Sequence, residues 1–166
     1  LKNSWKKNFV ITIVGPTTTN ADLHYKKSMV EQVSRYGLGN KVRFIGPVPY
    51  AEMPHFYADA HVVVNLCPTG GIDKMVIEGM ASGGLVIASN ETFRNLFGRY
   101  ADDLLYPYQN PRILAGKIMV LFGKDENDLD SMQNFLLAQS EKHSLEHLIP
   151  IIIRELSSFG TAQQRT

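Results

Sequence analysis

Cysteine is almost absent from this sequence: Cys67 stands alone among 166 residues. One thiol builds neither a disulfide framework nor a four-thiolate zinc site, and its solitude fits a reducing cytoplasm. Long apolar runs are missing as well, since none approaches the roughly 20 residues that a membrane helix needs. The opening Leu1-Lys-Asn-Ser-Trp5-Lys-Lys7 has no apolar stretch behind its charges, so it does not read as a signal peptide, and it does not begin with Met. An excess of one charge is lacking too. Lys and Arg number 17 against 16 Asp and Glu, a net charge of +1, which argues against a nucleic-acid binder driven by a basic surface. There is no internal repeat and no low-complexity tract.

What remains is the composition of an ordinary globular chain, 44% hydrophobic and 20% charged, long enough to bury a core. Short apolar runs alternate with helical patterns. Phe9 to Val14 is β-branched and stops at Gly15-Pro16, which reads as a strand and a turn. Asp22 to Tyr36 carries Met29, Val30, Val33 and Tyr36 at helical spacing before Gly37. Strands follow at Val42 to Ile45, His61 to Leu66 and Leu85 to Ala88, with a weaker fifth at Asp103 to Tyr106. Between and after them, Tyr50 to Ala58, Lys74 to Ala81, Pro111 to Phe122, Glu126 to Ser140 and Ser144 to Ser158 read as helices, the last interrupted near Pro150. Strand and helix in alternation imply a doubly wound, Rossmann-like parallel sheet with helices on both faces. We expect one domain over residues 1–159 and a frayed polar tail over 160–166. Ligands of such sheets sit at the carboxyl ends of the strands.

One such end stands out. Asn65-Leu-Cys-Pro-Thr-Gly70-Gly71-Ile72-Asp73-Lys74-Met75 delivers a buried strand into a double-glycine turn that opens a helix. Glycines let backbone approach a ligand closely, and the amides at a helix start present positive charge to an anion, most simply a diphosphate. Lys74 adds a cation in the first turn. Glu78, one turn on in an apolar helix, has two readings. It pairs with Lys74 at i,i+4, or it accepts from two neighbouring hydroxyls of a ribose.

Several separated segments then agree in order and spacing with one family. Val42-Arg-Phe-Ile-Gly46-Pro-Val48, Met53, Tyr57-Ala-Asp-Ala60 and Glu78-Gly-Met-Ala-Ser-Gly83-Gly-Leu-Val-Ile-Ala88-Ser resemble the donor-binding domain of the retaining GT-B glycosyltransferases, over about Phe9 to Gly123. The resemblance implies the C-terminal half of a GT-B fold. It implies transfer of a sugar from a nucleotide diphosphate sugar, of UDP or GDP type, to a hydroxyl acceptor in polysaccharide, glycan or glycolipid synthesis. It assigns the donor ribose to Glu78 and the donor phosphates to the amides of Ile72, Asp73, Lys74 and Met75, to which the reading of the glycine turn adds Gly71. Pro47, Val48 and Tyr50 would lie near the nucleobase, and Gly15 and Pro16 on the ligand side. No catalytic residue, metal or further cofactor is expected in this chain. The expected partners are the nucleotide-sugar donor and an acceptor-binding domain upstream, through which a cytoplasmic enzyme would touch a membrane peripherally.

This sequence departs from that pattern twice. The family's first motif Glu, eight positions before the second, is Gly70 here; Asp73 either replaces that carboxylate at the sugar or caps the helix. The first strand of the family's domain, its Arg/Lys loop and its first helix have no counterpart in the chain, which therefore should not catalyse transfer alone. A degenerate nucleotide-binding or scaffold module of the same fold is the alternative reading. His143-Ser-Leu-Glu146-His147 spells an inverted zinc-protease motif, but only 19 residues follow in which to find a third ligand. Cys67 reads as a small buried residue.

Overall fold

The structure, a computed structural model, describes residues 8–68, 70–71 and 73–162. The chain divides into two compact units, Leu1–Met53 and Pro54–Thr166.

The first unit contains β1 (Ile11–Val14), α1 (Asn20–Arg35), β2 (Val42–Gly46) and a 3-10 turn at Tyr50–Glu52. The two strands pair in parallel, Ile11 opposite Val42 and Ile13 opposite Phe44, and a register shift then sets Val14 against Gly46. Helix α1 starts two residues before its expected position because Thr19 caps it. The Thr19 side chain accepts from the Asp22 amide at 3.1 Å, and the Asp22 carboxylate accepts from the Thr19 amide at 2.9 Å. That reciprocal pair satisfies two donors which the helix leaves open. No described residue of this unit is fully buried.

The second unit holds α2 (Met53–Ala58, its first residue belonging to the first unit), β3 (Val62–Asn65), α3 (Lys74–Ala81), β4 (Leu85–Ala88), α4 (Arg94–Phe97), α5 (Ala101–Leu104), α6 (Pro111–Leu121), α7 (Glu126–Glu141) and α8 (Leu145–Ala162). Strands β3 and β4 pair in parallel without a break, from Val62 opposite Leu85 to Asn65 opposite Ala88. Helices α3 and α7 pack on each other and against β4. The core forms there, from Val76 and Met80 of α3, Val86 and Ile87 of β4, Phe93, Phe97, Leu104, Leu121, Met132 and Leu136, each at most 1% exposed. Side chains of this size each contribute about 1.5–3 kcal/mol on burial. Gly79 permits the close approach of α3 to the strands: a Cβ there would stand 3.0 Å from Val86 Cγ2.

Three expectations need correction. The fifth strand is a single bridge between Ala88 and Leu105, reinforced by the Tyr106 amide donating to the Ala88 carbonyl at 3.0 Å. Ala101 and Leu104 reach the core from one helical turn instead, and Pro107 ends the extended stretch because it has no amide for a ladder. The described strands accordingly form two parallel pairs, not one five-stranded sheet. Pro150 does not interrupt α8, which runs past Gly160 to Ala162. Proline forfeits one backbone hydrogen bond, and the helix continues through it.

Candidate functional site

The carboxyl end of β3 carries Asn65, whose side chain is 3% exposed. A buried amide needs partners, and Asn65 has them on both sides. Its Nδ2 donates to Asp73 Oδ2 at 2.8 Å, and its Oδ1 accepts from the Cys67 amide at 3.0 Å. Asp73 is the N-cap of α3, with Oδ1 accepting from the Met75 amide at 3.0 Å. Just beyond β4, two more buried polar residues hold the same turn. Ser89 Oγ donates to the Cys67 carbonyl at 3.2 Å, and Asn90 Nδ2 to the Gly70 carbonyl at 3.4 Å. Behind them, burial raises the Tyr106 phenol above its ordinary pKa, a shift that its hydrogen bond with Ser89 opposes.

Above this support the turn is open. Gly70 has φ +107°, which residues with a side chain rarely adopt, and a Cβ at Gly70 or Gly71 would meet nothing within 4 Å. Among the described residues, the amides of Gly70, Gly71 and Lys74 have no hydrogen-bond acceptor. Lys74 is exposed and makes no ion pair among the described residues, so the i,i+4 pair with Glu78 is not formed. Glu78 is half-buried, and the buried Tyr57 hydroxyl donates to its Oε2 at 3.1 Å, which fixes the direction of the carboxylate.

Six of the expected residues, Gly70, Gly71, Asp73, Lys74, Met75 and Glu78, thus fall on one strand–turn–helix segment, and Ile72 lies outside the described residues. Asp73 takes the capping alternative, and Met75 differs in detail from expectation. The Asp73 carboxylate serves as a cap and as the acceptor of Asn65, and the Met75 amide is taken by that cap. In the first unit, the Gly15 amide donates to the Gly46 carbonyl at 2.9 Å, so Gly15-Pro16 and Gly46-Pro47 leave the paired strands side by side, with Val48 and the exposed Tyr50 following. A groove of about 220 Å³ adjoins them, lined by Gly15, Pro16, Thr17, Asp22, Lys26 and Phe44 among others. Sequence reasoning missed Asn65 and Tyr57 as residues of the site, whereas Ser89 and Asn90 lie just past β4, at a strand end of the kind expected to face a ligand. The polar end of the run Val62-Val-Val-Asn65 was the one available signal.

The glycosyl transferases group 1 family matches residues 1–124. The chain belongs to this family. No curated protein matches it. Among solved structures, HepE of Anabaena, in complex with UDP, is similar with a TM-score of 0.78 at 22% identity, over 90% of this chain and 41% of its own. The sucrose-phosphate synthase of Thermosynechococcus elongatus gives 0.72 at 21% identity, over 89% and 38%. The C-terminal domain of LpcC, a group 1 family protein from Francisella tularensis, gives 0.66 at 24%, over 76% and 66%. These likenesses establish the fold of the group 1 chain, that of a GT-B glycosyltransferase domain. The chain spans about two-fifths of the length of HepE and of the synthase. Among the described residues no helix is long and apolar enough to cross a membrane. None of their His, Cys, Asp and Glu side chains gather in threes that could hold a metal, His143, Glu146 and His147 included.

Proposed function

We propose that this group 1 chain is the nucleotide-sugar-binding domain, the C-terminal half, of a retaining GT-B glycosyltransferase. In the parent reaction a sugar passes from a nucleotide diphosphate sugar, of UDP or GDP type, to a hydroxyl acceptor held by an upstream domain. The observation that carries this reading is the open Gly70–Gly71 turn, whose amides and that of Lys74 lack acceptors among the described residues at the start of α3. A pyrophosphate there would receive those hydrogen bonds, the positive end of the helix and the Lys74 ammonium together. Such a set of donors also stabilises the charge that grows on a departing diphosphate, the main electrostatic demand of the transfer. Glu78 takes the ribose hydroxyls, its carboxylate held by Tyr57. The UDP complex of HepE supports the nucleotide class. Polysaccharide, glycan or glycolipid synthesis in the cytoplasm is the setting we infer, and the donor is the only small molecule the chain requires.

Calorimetric titration with UDP, GDP and ADP tests the proposal. One of the three binds, and Glu78→Ala weakens it by about tenfold or more, the cost of hydrogen bonds to a charged acceptor. Binding that Glu78→Ala leaves unchanged would sink the ribose assignment.

A second reading rests on Gly70. At φ +107° this position disfavours the glutamate of the family motif on backbone grounds, by roughly 1–3 kcal/mol. That supports a degenerate module that holds the nucleotide without transferring the sugar. Transfer assayed in the full-length protein separates the two.

A further inference from the structure

We propose that Asn65 and Asp73 are paired positioning residues that set the Gly70–Gly71 turn for a pyrophosphate, and that Asp73 does not itself contact the donor sugar. The inference rests on the reading of that turn as the diphosphate site.

The argument starts from the commitments of one carboxylate. Asp73 looks, from its place three residues after Gly70, like a replacement for the missing motif glutamate. Its oxygens are turned inward instead: Oδ1 to the Met75 amide, Oδ2 to Asn65 Nδ2. Asn65 is sealed at 3% exposure, so its amide has no water to fall back on. One hydrogen bond between them ties the last residue of β3 to the cap of α3 and so closes the turn between strand and helix. The Asn65 bond to the Cys67 amide and the Ser89 and Asn90 bonds to the Cys67 and Gly70 carbonyls hold the same stretch of backbone from below. Glycines at 70 and 71 resist nothing by themselves; their freedom is the reason that ordering must come from side chains elsewhere. A turn already ordered spares the ligand the entropy of ordering it.

Exchanging the two groups tests the pair. Asn65→Asp sets two carboxylates against each other, and Asp73→Asn sets two amide donors against each other. The double variant Asn65→Asp/Asp73→Asn restores the bond with its polarity reversed, while position 73 still caps Met75. Calorimetry with UDP and UDP-glucose, or GDP and GDP-mannose where the wild type prefers guanine, reads the affinity, and circular dichroism reads the folded fraction. Each single variant weakens the nucleotide by about tenfold and the double variant recovers most of the loss, as expected of neighbours in one hydrogen-bond network. The ratio of nucleotide to nucleotide-sugar affinity stays constant throughout. Asp73→Ser, which keeps a capping oxygen but loses Asn65, shows the same loss and serves if an exchange variant fails to fold.

Wild-type affinity in all the variants, or a double variant no better than the singles, overturns the pair alone. Loss confined to the nucleotide sugar in Asp73→Asn makes Asp73 a sugar ligand and also overturns it. Failure of the wild type to bind any of the nucleotides overturns the site reading, and the pair with it.

Discussion

In the first unit, β1 reads Ile-Thr-Ile-Val and leaves Ile11 42% and Ile13 37% exposed; in the second, β4 reads Leu-Val-Ile-Ala, and its least buried residue is Leu85 at 4%. Both strands are mostly apolar, both pair in parallel with one neighbouring strand, to which β4 adds the single bridge from Ala88 to Leu105, and both precede a glycine-bearing or polar turn. They differ in what covers them. Helices α3, α5 and α7 all reach β4, whereas every buried apolar residue among those described lies at or beyond Tyr57. Apolar runs of β-branched residues thus specify a strand, while burial is settled by segments far away in sequence.

Stability should follow this division. Phe97→Ala removes a ring from the closed core and is expected to destabilise the second unit by about 3–5 kcal/mol, against less than about 1.5 kcal/mol for Ile13→Ala on the half-open β1. Hydrogen exchange read separately for amides of β4 and β1 measures the two. Equal losses would mean that β1 is covered in solution after all, and the contrast between the units would collapse.

Two glycines sharpen the contrast at smaller scale. A methyl at Gly79 meets Val86 Cγ2 at 3.0 Å and Val63 Cγ1 at 3.5 Å, whereas one at Gly39 meets nothing within 4 Å. Gly79→Ala is expected to cost about 1–3 kcal/mol by overpacking. Gly39→Ala should be neutral or stabilising by up to about 1 kcal/mol, because it restricts the unfolded chain. Urea midpoints decide the signs. A neutral Gly79→Ala would show that α3 can withdraw from the strands.

Helix caps should ignore the division, since a cap acts within one turn of its own helix. Thr19 caps α1 in the open unit and Asp125 caps α7 in the closed one, each accepting an amide three residues on, at 3.1 and 2.9 Å. Thr19→Ala and Asp125→Ala should each cost about 1 kcal/mol, measured again as urea midpoints. A large difference between them would show that even this local term depends on the surrounding core.

The same distinction between local and distant causes explains what could be read in the sequence. Helix α3 and strand β4 appear at their expected bounds, because Asp73, the Gly83-Gly84 pair and the apolar runs are local signals. The turn at Gly70-Gly71 was legible for the same reason. Asp103 to Tyr106 was misread because Leu104, Leu105 and Tyr106 form one apolar run, yet Leu104 ends a helical turn and the bridge to Ala88 falls on Leu105 alone. Nor could the partners of the site be read: Asn65 meets Asp73 across eight positions and Tyr57 meets Glu78 across 21. Such pairings are decided by the packing of strand ends and helices, and no spacing rule encodes them.

The smallest expected effect belongs to Asp22, and it is one of pH. This exposed carboxylate accepts from the Thr19 amide, from the Thr18 amide at 3.0 Å and from the Thr18 hydroxyl at 3.0 Å. Hydrogen bonds from the Thr19 backbone first, then from the Thr19 side chain and from Thr18, hold its pKa below the ordinary value of 3.8. A depressed carboxylate stabilises the folded form at every pH above the unfolded value. That contribution is lost as pH falls from about 3.8 through the lowered folded value. Amide shifts of Thr18 and Thr19 should therefore titrate with a midpoint below 3.8, and the titration should vanish in Asp22→Asn. The effect stays confined to the start of α1, since protonating Asp22 loosens the Thr18–Thr19 turn without reaching any fully buried residue. A midpoint at or above 3.8 would mean that the loop beside the Gly15 groove is not held by its own carboxylate, and that the first unit is looser at this point than its capping geometry indicates.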